Sequence, residues 1–383
     1  MNLASKDISS DFPTSKKIYL NNASVSLMPY QSIKDMSDFL LRYNSMGPDS
    51  KESENLIVEK LRDIRKLVAK LISCQPDEIV LTQSTTDGIN IVANGLSFEK
   101  NSNIIIRGMT HEHHSNFYPW LKLKNKTLIK SLPIDKDGFF KTDDLESFID
   151  TNTRLVSISH ALYNTGSIMP VESISKILKD KIPFFIDAAQ TIGCIGDIDM
   201  SKINCNFMSF NGSKWLCGPM GTGLFYCNRK SSELLEPSTI GGESAIIYDD
   251  TNLAFKELPD KFQTGFRNYV GMIGLESSIK YLINFGMNNI RKKNQHLSNL
   301  FREELSKIPK IILYGPDNPN KRTSIVSFNL KGYDPQQIVD KLEEKNIILA
   351  VREIFKTKLV RASPHFFNTE SEIFQVINEI KKL

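Results

Sequence analysis

Seven short runs rich in β-branched and aromatic residues recur between positions 78 and 227: EIVLT (78–82), NIIIR (103–107), TLIKSL (127–132), RLVSIS (154–159), PFFID (183–187), NFMSF (206–210) and GLFYC (223–227). Segments with helical apolar spacing precede or separate them, at 55–73, 87–96 and 171–178. Strand and helix in alternation predict an α/β fold, built on a mostly parallel seven-stranded sheet covered on both faces. The texture changes after Arg267: helical spacing runs over 271–308, interrupted only at Phe285 and Gly286, and predicts a long, kinked helix. Shorter strands follow at 311–314, 324–330, 347–351 and 359–363, with helices at 335–345 and 369–382. The expected organisation is an N-terminal arm (1–17), a large domain (18–267), and a connecting helix leading into a small α+β domain (268–383).

Composition narrows the function classes. Of 383 residues, 40% are apolar and 24% charged, a balance that excludes a disordered chain. Net charge is only +4, spread thinly, so neither nucleic acid nor an acidic membrane surface is called for. Five cysteines (74, 194, 205, 217 and 227) form no CxxC pair, which favours reduced thiols over bridges. No apolar run reaches the roughly 18–20 residues of a membrane span, and the opening MNLASKDISSDF has no signal-peptide pattern. The expectation is a cytoplasmic protein.

Four clusters carry chemistry. Ser84, Thr85, Thr86, Asp87 and Gly88 follow a predicted strand and open a helix, where free N–H groups and hydroxyls suit an anion, although a plain helix cap uses the same letters. His111, Glu112, His113 and His114 invite a metal, but no partner ligands stand at metal spacing, and an imidazole can instead stack on an aromatic ring. Asp187 ends the apolar strand PFFID, where open α/β sheets bind ligands; buried there it needs a cationic partner, unless it merely caps the next segment. Lys214, set among Phe210, Trp215 and Leu216, is desolvated in a way that lowers an amine's pKa toward nucleophilic reactivity. Neither GxGxxG nor GxxxxGK is present. Anion cradle, stacking imidazole, strand-end carboxylate and desolvated lysine, in this order, match the phosphate, ring face, pyridine nitrogen and aldehyde of pyridoxal 5′-phosphate.

Longer motifs carry a resemblance over nearly the whole chain. YLNNASVSLMP (19–29), STTDGIN (84–90), EHHSNFYPW (112–120), DAAQ (187–190), GSKWLCGPMGTG (212–223) and VRASPHFFNTESEI (360–373) are similar, in order, to the signatures of the class V aminotransferase superfamily of fold type I pyridoxal-phosphate enzymes, in its branch of cysteine desulfurases and selenocysteine lyases. The resemblance implies that Lys214 forms the internal aldimine and Asp187 pairs with the pyridine nitrogen. It further implies that Gln190 bonds the ring hydroxyl, His113 stacks on the ring, Thr85 and Thr86 hold phosphate, and Arg361 clamps the substrate α-carboxylate. Ser213 stands where the family has His and offers a hydroxyl to phosphate. Arg352 matches the arginine before the family's mobile loop. Tyr163 and Asn164, in LYNTGSIMPV, replace the usual arrangement in a way that resembles cystine and cysteine-conjugate C–S lyases; Asn164 is assigned to the cofactor, and Tyr163, Trp120 and Arg352 to substrate selection. A homodimer is implied as well, although Phe266 stands where a cross-subunit phosphate threonine belongs and Thr264 is the only nearby substitute.

One departure bears on the reaction. Desulfurases place a nucleophilic cysteine between the two arginines, but here only EIFKTKLV separates Arg352 from Arg361, and no cysteine follows Cys227. Cys217, close to Lys214, reads as a small core residue. The expectation is therefore C–S cleavage of a sulfur-containing amino acid by β-elimination, with a class V aminotransferase or isopenicillin-epimerase-like activity on a non-sulfur amino acid as the alternative. A third reading is a weakly catalytic protein retained for assembly with a sulfur-carrier partner.

Overall fold

The computed structural model describes residues 8–14, 16–179, 181–247, 249 and 251–383, so part of the expected N-terminal arm lies outside it. Seven strands form the large sheet: β1 (Ile79–Thr82), β2 (Asn103–Arg107), β3 (Leu128–Leu132), β4 (Thr153–Ser159), β5 (Phe184–Asp187), β6 (Phe207–Asn211) and β7 (Gly223–Cys227). Their spatial order is β1-β7-β6-β5-β4-β2-β3. All neighbours run parallel except β7, which is antiparallel to both β1 and β6. The run of apolar residues in each central strand follows from burial on both faces. Phe184 and Ile186 enter one core with Val156, Ile158, Met208 and Phe210, while Phe185 joins Leu155, Phe207 and Phe225 in the core on the other side. Helices α1 (Tyr30–Ser45) and α2 (Lys51–Ile72) belong to the first layer, and α3 (Thr85–Gly95) covers the second.

Helix α1 has no counterpart in the sequence expectations. Its only buried side chains are Ser32 and Phe39, too few to give an apolar period. It is held from outside itself, by a 2.9 Å hydrogen bond between the Ser32 and Ser278 hydroxyls. At Gly274 the backbone approaches so closely that an added Cβ would lie 2.4 Å from Met36 Sδ. The predicted long helix is two helices, α5 (Tyr269–Phe285) and α6 (Met287–Ser306), after α4 (Val171–Leu178). They separate at Gly286, whose φ of +94° is outside the range an L side chain adopts comfortably.

A second sheet, antiparallel, is built from β8 (Ile311–Tyr314), β9 (Val326–Leu330), β10 (Ala350–Ile354) and β11 (Thr357–Ala362) in the order β8-β9-β11-β10. It packs with α6, α7 (Pro335–Glu343) and α8 (Glu370–Lys381) around its own core, which includes Phe301, Phe328, Ile338 and Ile377. The predicted strand at 347–351 is split: Ile347–Ile348 pairs in parallel with Ile18–Tyr19, and Ala350 begins β10. Upstream, Phe12 is buried, stacked at 4.2 Å on Phe367 and edge-on to Tyr281 and Phe366. No helix among the described residues is long and apolar enough to cross a membrane.

Candidate active site

The site gathers at the C-terminal ends of the central strands. Ser159, Asp187 and Ser209 stand side by side across β4, β5 and β6. Ser209 Oγ donates to the Thr85 carbonyl at 2.9 Å, tying the first turn of α3 to the sheet. Gly88 lets this happen, since a Cβ there would lie 2.3 Å from Ser209 Oγ. The result is a cavity of about 310 Å³ whose wall includes Ser24, Thr85, Thr86, His113, Tyr163, Asp187, Gln190, Asn211, Lys214, Arg352 and Arg361. A larger cavity of about 520 Å³ contains none of these residues.

At the start of α3 a helix cap and an open hydroxyl occur together. Ser84 Oγ caps the helix by accepting from Asp87 N at 3.2 Å, while Thr85 Oγ1 is buried without a partner in the cavity wall. An orphaned hydroxyl beside the free N–H groups and positive end of an 11-residue helix is a donor set for an anion. Thr86 Oγ1 extends it toward Ser115 Oγ at 3.0 Å.

The three histidines part. His111 is buried against Asn164, and His114 stacks on Tyr118 at 4.8 Å; His113 alone faces the cavity. Its Nδ1 accepts from Ser115 N at 3.2 Å, and its ring lies edge-on to Tyr163 at 4.9 Å. Burial first, and then the Lys214 charge, lowers its pKa to about 3, so the imidazole is neutral.

Asp187 Oδ1 accepts from Ala189 N at 2.9 Å. Burial raises its pKa to about 6, with the Glu112 charge adding to the rise and the Ala189 N–H and Lys214 opposing it. Glu112 was visible in the sequence only as a neighbour of histidines. Its Oε1 accepts from His113 N at 3.1 Å and from Ser159 Oγ, and its carboxylate lies 4.0 Å from the buried Arg107. It thus braces both the imidazole and the strand end, a role that depends on tertiary approach and leaves no local signal.

Lys214 is half-buried in the cavity wall. Desolvation lowers its pKa to about 8, opposed by Asp187 and assisted by Arg361 and Arg352. Gln190 is oriented by its neighbours: Trp215 Nε1 donates to its Oε1 at 2.8 Å, and its Nε2 donates to the Ala23 carbonyl at 3.0 Å, leaving the other amide proton for a ligand. Arg361 donates to the Tyr163 carbonyl at 2.7 Å and keeps an unpartnered, buried Nε.

Three expected residues do not reach the cavity. Asn164 is buried with its amide on the Glu353 carbonyl at 2.9 Å. Ser213 turns its hydroxyl toward Asn211, which occupies the wall instead and has a buried, unpartnered Oδ1. Trp120, expected among the specificity residues, is a core side chain bonded to Asn116 Oδ1 at 2.9 Å and edge-on to Phe185. Cys217 belongs to the main core, its Sγ 3.5 Å from Ser26 Oγ. Ser24 was missed. Its hydroxyl accepts from both Arg352 and Arg361, residues more than 300 positions away in the chain.

The match to known proteins is extensive. Residues 18–376 fit the model of the aminotransferase class-V family. The chain is 32% identical to a probable cysteine desulfurase of Methanothermobacter thermautotrophicus, over 98% of this chain and 97% of that one. It is also 32% identical to a cysteine desulfurase of Wigglesworthia glossinidia brevipalpis, over 100% and 98% respectively. The apo structure of a cysteine desulfurase from Thermococcus onnurineus superposes with a TM-score of 0.91 at 29% identity, covering 98% of this chain and 97% of that one. A cystine C–S lyase in complex with its product cysteine persulfide shares the fold, with a TM-score of 0.89 at 21% identity over 96% and 98% of the two chains.

The residues present also fit the cofactor chemically. An orphaned hydroxyl at a helix N-terminus suits a phosphate, a buried carboxylate with a raised pKa suits a protonated pyridine nitrogen, and a desolvated amine suits an aldehyde. The chain belongs to the aminotransferase class-V family and is a pyridoxal-phosphate-dependent enzyme.

Proposed function

We propose that this enzyme cleaves the Cβ–S bond of a sulfur-containing amino acid by β-elimination. What supports elimination over sulfur transfer to a protein thiol is the connection between Arg352 and Arg361. It is a tight hairpin: Ile354 pairs with Thr357, so only Phe355 and Lys356 form the turn, with Phe355 at a φ of +56°. Phe355 N is bonded to the Thr110 carbonyl, which ties the turn to the large domain. No thiol among the described residues lines the cavity. Burial raises the pKa of all five cysteines, to about 12 for Cys74, Cys194 and Cys217 and higher for Cys205 and Cys227.

In this reading the first turn of α3, with Thr85 and Thr86, holds the cofactor phosphate, His113 covers the ring face, and Gln190 Nε2 donates to the ring hydroxyl. Asp187 keeps a proton on the ring nitrogen. Pyridoxal phosphate, when bound, supplies the electron sink that makes a Cα proton removable. Arg361 pairs with the substrate α-carboxylate and fixes the Cα–H bond toward Lys214. Lys214 Nζ, whose pKa desolvation lowers to about 8, takes the proton in its neutral form. The electron pair released at Cα expels the sulfur substituent from Cβ.

The working unit is proposed to be a homodimer in the cytoplasm. Met220 and Phe266, each close in the chain to the hydrogen-bonded pair Gly221 and Asn268, are strongly exposed apolar side chains that a second copy would cover.

Thiol alkylation tests the elimination reading. Treatment with iodoacetamide is expected to leave C–S lyase turnover within about twofold of the untreated enzyme, because an un-ionised buried thiol reacts poorly. Loss of turnover in step with alkylation of one cysteine would assign that thiol to catalysis and overturn the reading.

A further inference from the structure

The larger cavity, of about 520 Å³, is walled by residues attached to both sheets, and the mechanism uses none of them. His160 comes to it from the end of β4, Ile198 and Ile203 from the segment after β5, Arg291 from α6, and Arg322 from the turn before β9. Its floor is polar and incompletely satisfied. His160 is 5% exposed and Arg322 6%, yet His160 Nδ1 and Arg322 Nε are buried without a hydrogen-bond partner.

Arg322 lacks a counter-ion. Its Nη1 donates to the carbonyls of Pro316, at 3.0 Å, and Asp317, and its Nη2 donates to Asn299 Oδ1 at 2.6 Å, so the acceptors it meets are neutral. The Asp317 carboxylate pairs with Arg302 instead, at 3.1 Å. Burial lowers the Arg322 pKa to about 10, and the Arg302 charge adds to the fall. A buried guanidinium in this state is unfavourable until an anion joins it. Arg291, exposed at the rim, has no hydrogen bond or ion pair among the described residues and is a second cation for the same anion. The rim also carries the opposite sign. Asp199 and Lys202 neutralise each other at 3.6 Å, but the exposed Glu172 and Asp197 pair with no cation among the described residues, Asp197 accepting only from Asn288 Nδ2 at 2.6 Å. A simple anion would be repelled by these two carboxylates, and a simple amine by Arg322. The rest of the wall includes the buried apolar side chains of Met169, Val171, Ile198 and Ile203.

We propose that this cavity binds a free α-amino acid with an apolar side chain, separately from the catalytic cavity. Its carboxylate pairs with Arg322 and Arg291, its ammonium with Glu172 and Asp197, and its side chain packs on Met169, Ile198 and Ile203. A zwitterion meets both signs of the wall at once, which neither an anion nor an amine does. The apolar side chain then covers surface that water would otherwise wet. The site does not depend on which reaction the catalytic cavity performs, because the two cavities share no lining residue.

The test is equilibrium dialysis of the holoenzyme against L-leucine, which has no leaving group at Cβ, in wild type, Arg361→Gln, Arg322→Gln and Arg291→Gln. Two truncated ligands accompany it: 4-methylpentanoate, which lacks the ammonium, and 3-methylbutylamine, which lacks the carboxylate. Binding is expected to persist in Arg361→Gln, where the catalytic clamp is gone, and to weaken about tenfold or more in Arg322→Gln and in Arg291→Gln. Each truncated ligand is expected to bind wild type about tenfold or more weakly than L-leucine. Arg291 is exposed, so Arg291→Gln keeps the test open even if Arg322→Gln fails to fold. No binding to wild type, binding lost in Arg361→Gln, or affinity unchanged in Arg291→Gln overturns the proposal. So does 4-methylpentanoate or 3-methylbutylamine binding as tightly as L-leucine.

Discussion

Lys214→Ala is expected to abolish the visible absorption of the reconstituted enzyme and to lower kcat by about 10⁴-fold or more, with the circular dichroism spectrum unchanged. The size of the effect follows from two roles falling on one atom. Lys214 is the only lysine among the described residues lining the cavity, so no neighbour can replace its amine. Its pKa of about 8 also sets the pH at which that amine becomes available. Below pH 8 the folded, cofactor-free chain holds it increasingly as ammonium, which cannot attack an aldehyde; as pH rises through 8 the neutral amine takes over. Capture of pyridoxal phosphate should therefore accelerate through pH 8, whereas an ordinary lysine would respond only near pH 10. A Lys214→Ala variant that keeps both the band and turnover would place the chemistry on another residue.

Asp187→Asn is the second large effect, expected to reduce kcat by about 10²–10³-fold. The amide preserves shape and can still accept the Ala189 N–H bond, but it lacks the charge that keeps a proton on a pyridine nitrogen. The pH dependence distinguishes charge from shape. Because burial lifts the Asp187 pKa to about 6 in the cofactor-free chain, the carboxylate is present above pH 6 and lost as pH falls through it. Cofactor affinity of wild type should exceed that of Asp187→Asn most clearly above pH 6 and converge with it below. A constant ratio from pH 5 to pH 8 would show that Asp187 acts through packing alone.

The parts of the molecule legible in the sequence are those whose physics is local. The central strands could be read because burial on both faces makes each an unbroken apolar run, as in Phe184–Asp187. The break at Gly286 could be read because a glycine there interrupts two helical periods. Asp187, His113 and Lys214 could be read because each stands at the end of an element in a motif with a recognisable order. What could not be read depends on approach from elsewhere. Helix α1 buries almost nothing of its own and is set by Ser278 and Gly274. Asn164 and Trp120 have the right chemistry for a pocket, but their side chains turn toward Glu353 and Asn116. Ser24 is a small polar residue in an unremarkable turn until two arginines from the second sheet meet on its hydroxyl. Its role belongs to the juxtaposition of the two sheets, and the sequence holds no spacing that encodes it.

Where the family resemblance places a loop with a nucleophilic cysteine, Arg352 and Arg361 are joined here by a two-residue turn without one, and that difference carries the claim that sulfur leaves on the substrate's own fragment. The partition of products measures this directly. With a sulfur-containing amino acid in excess and no added reductant, the enzyme is expected to form pyruvate and ammonia in equal amounts, with no alanine and no persulfide on the protein. Alanine formed in step with a protein-bound persulfide would contradict elimination and return the enzyme to sulfur transfer.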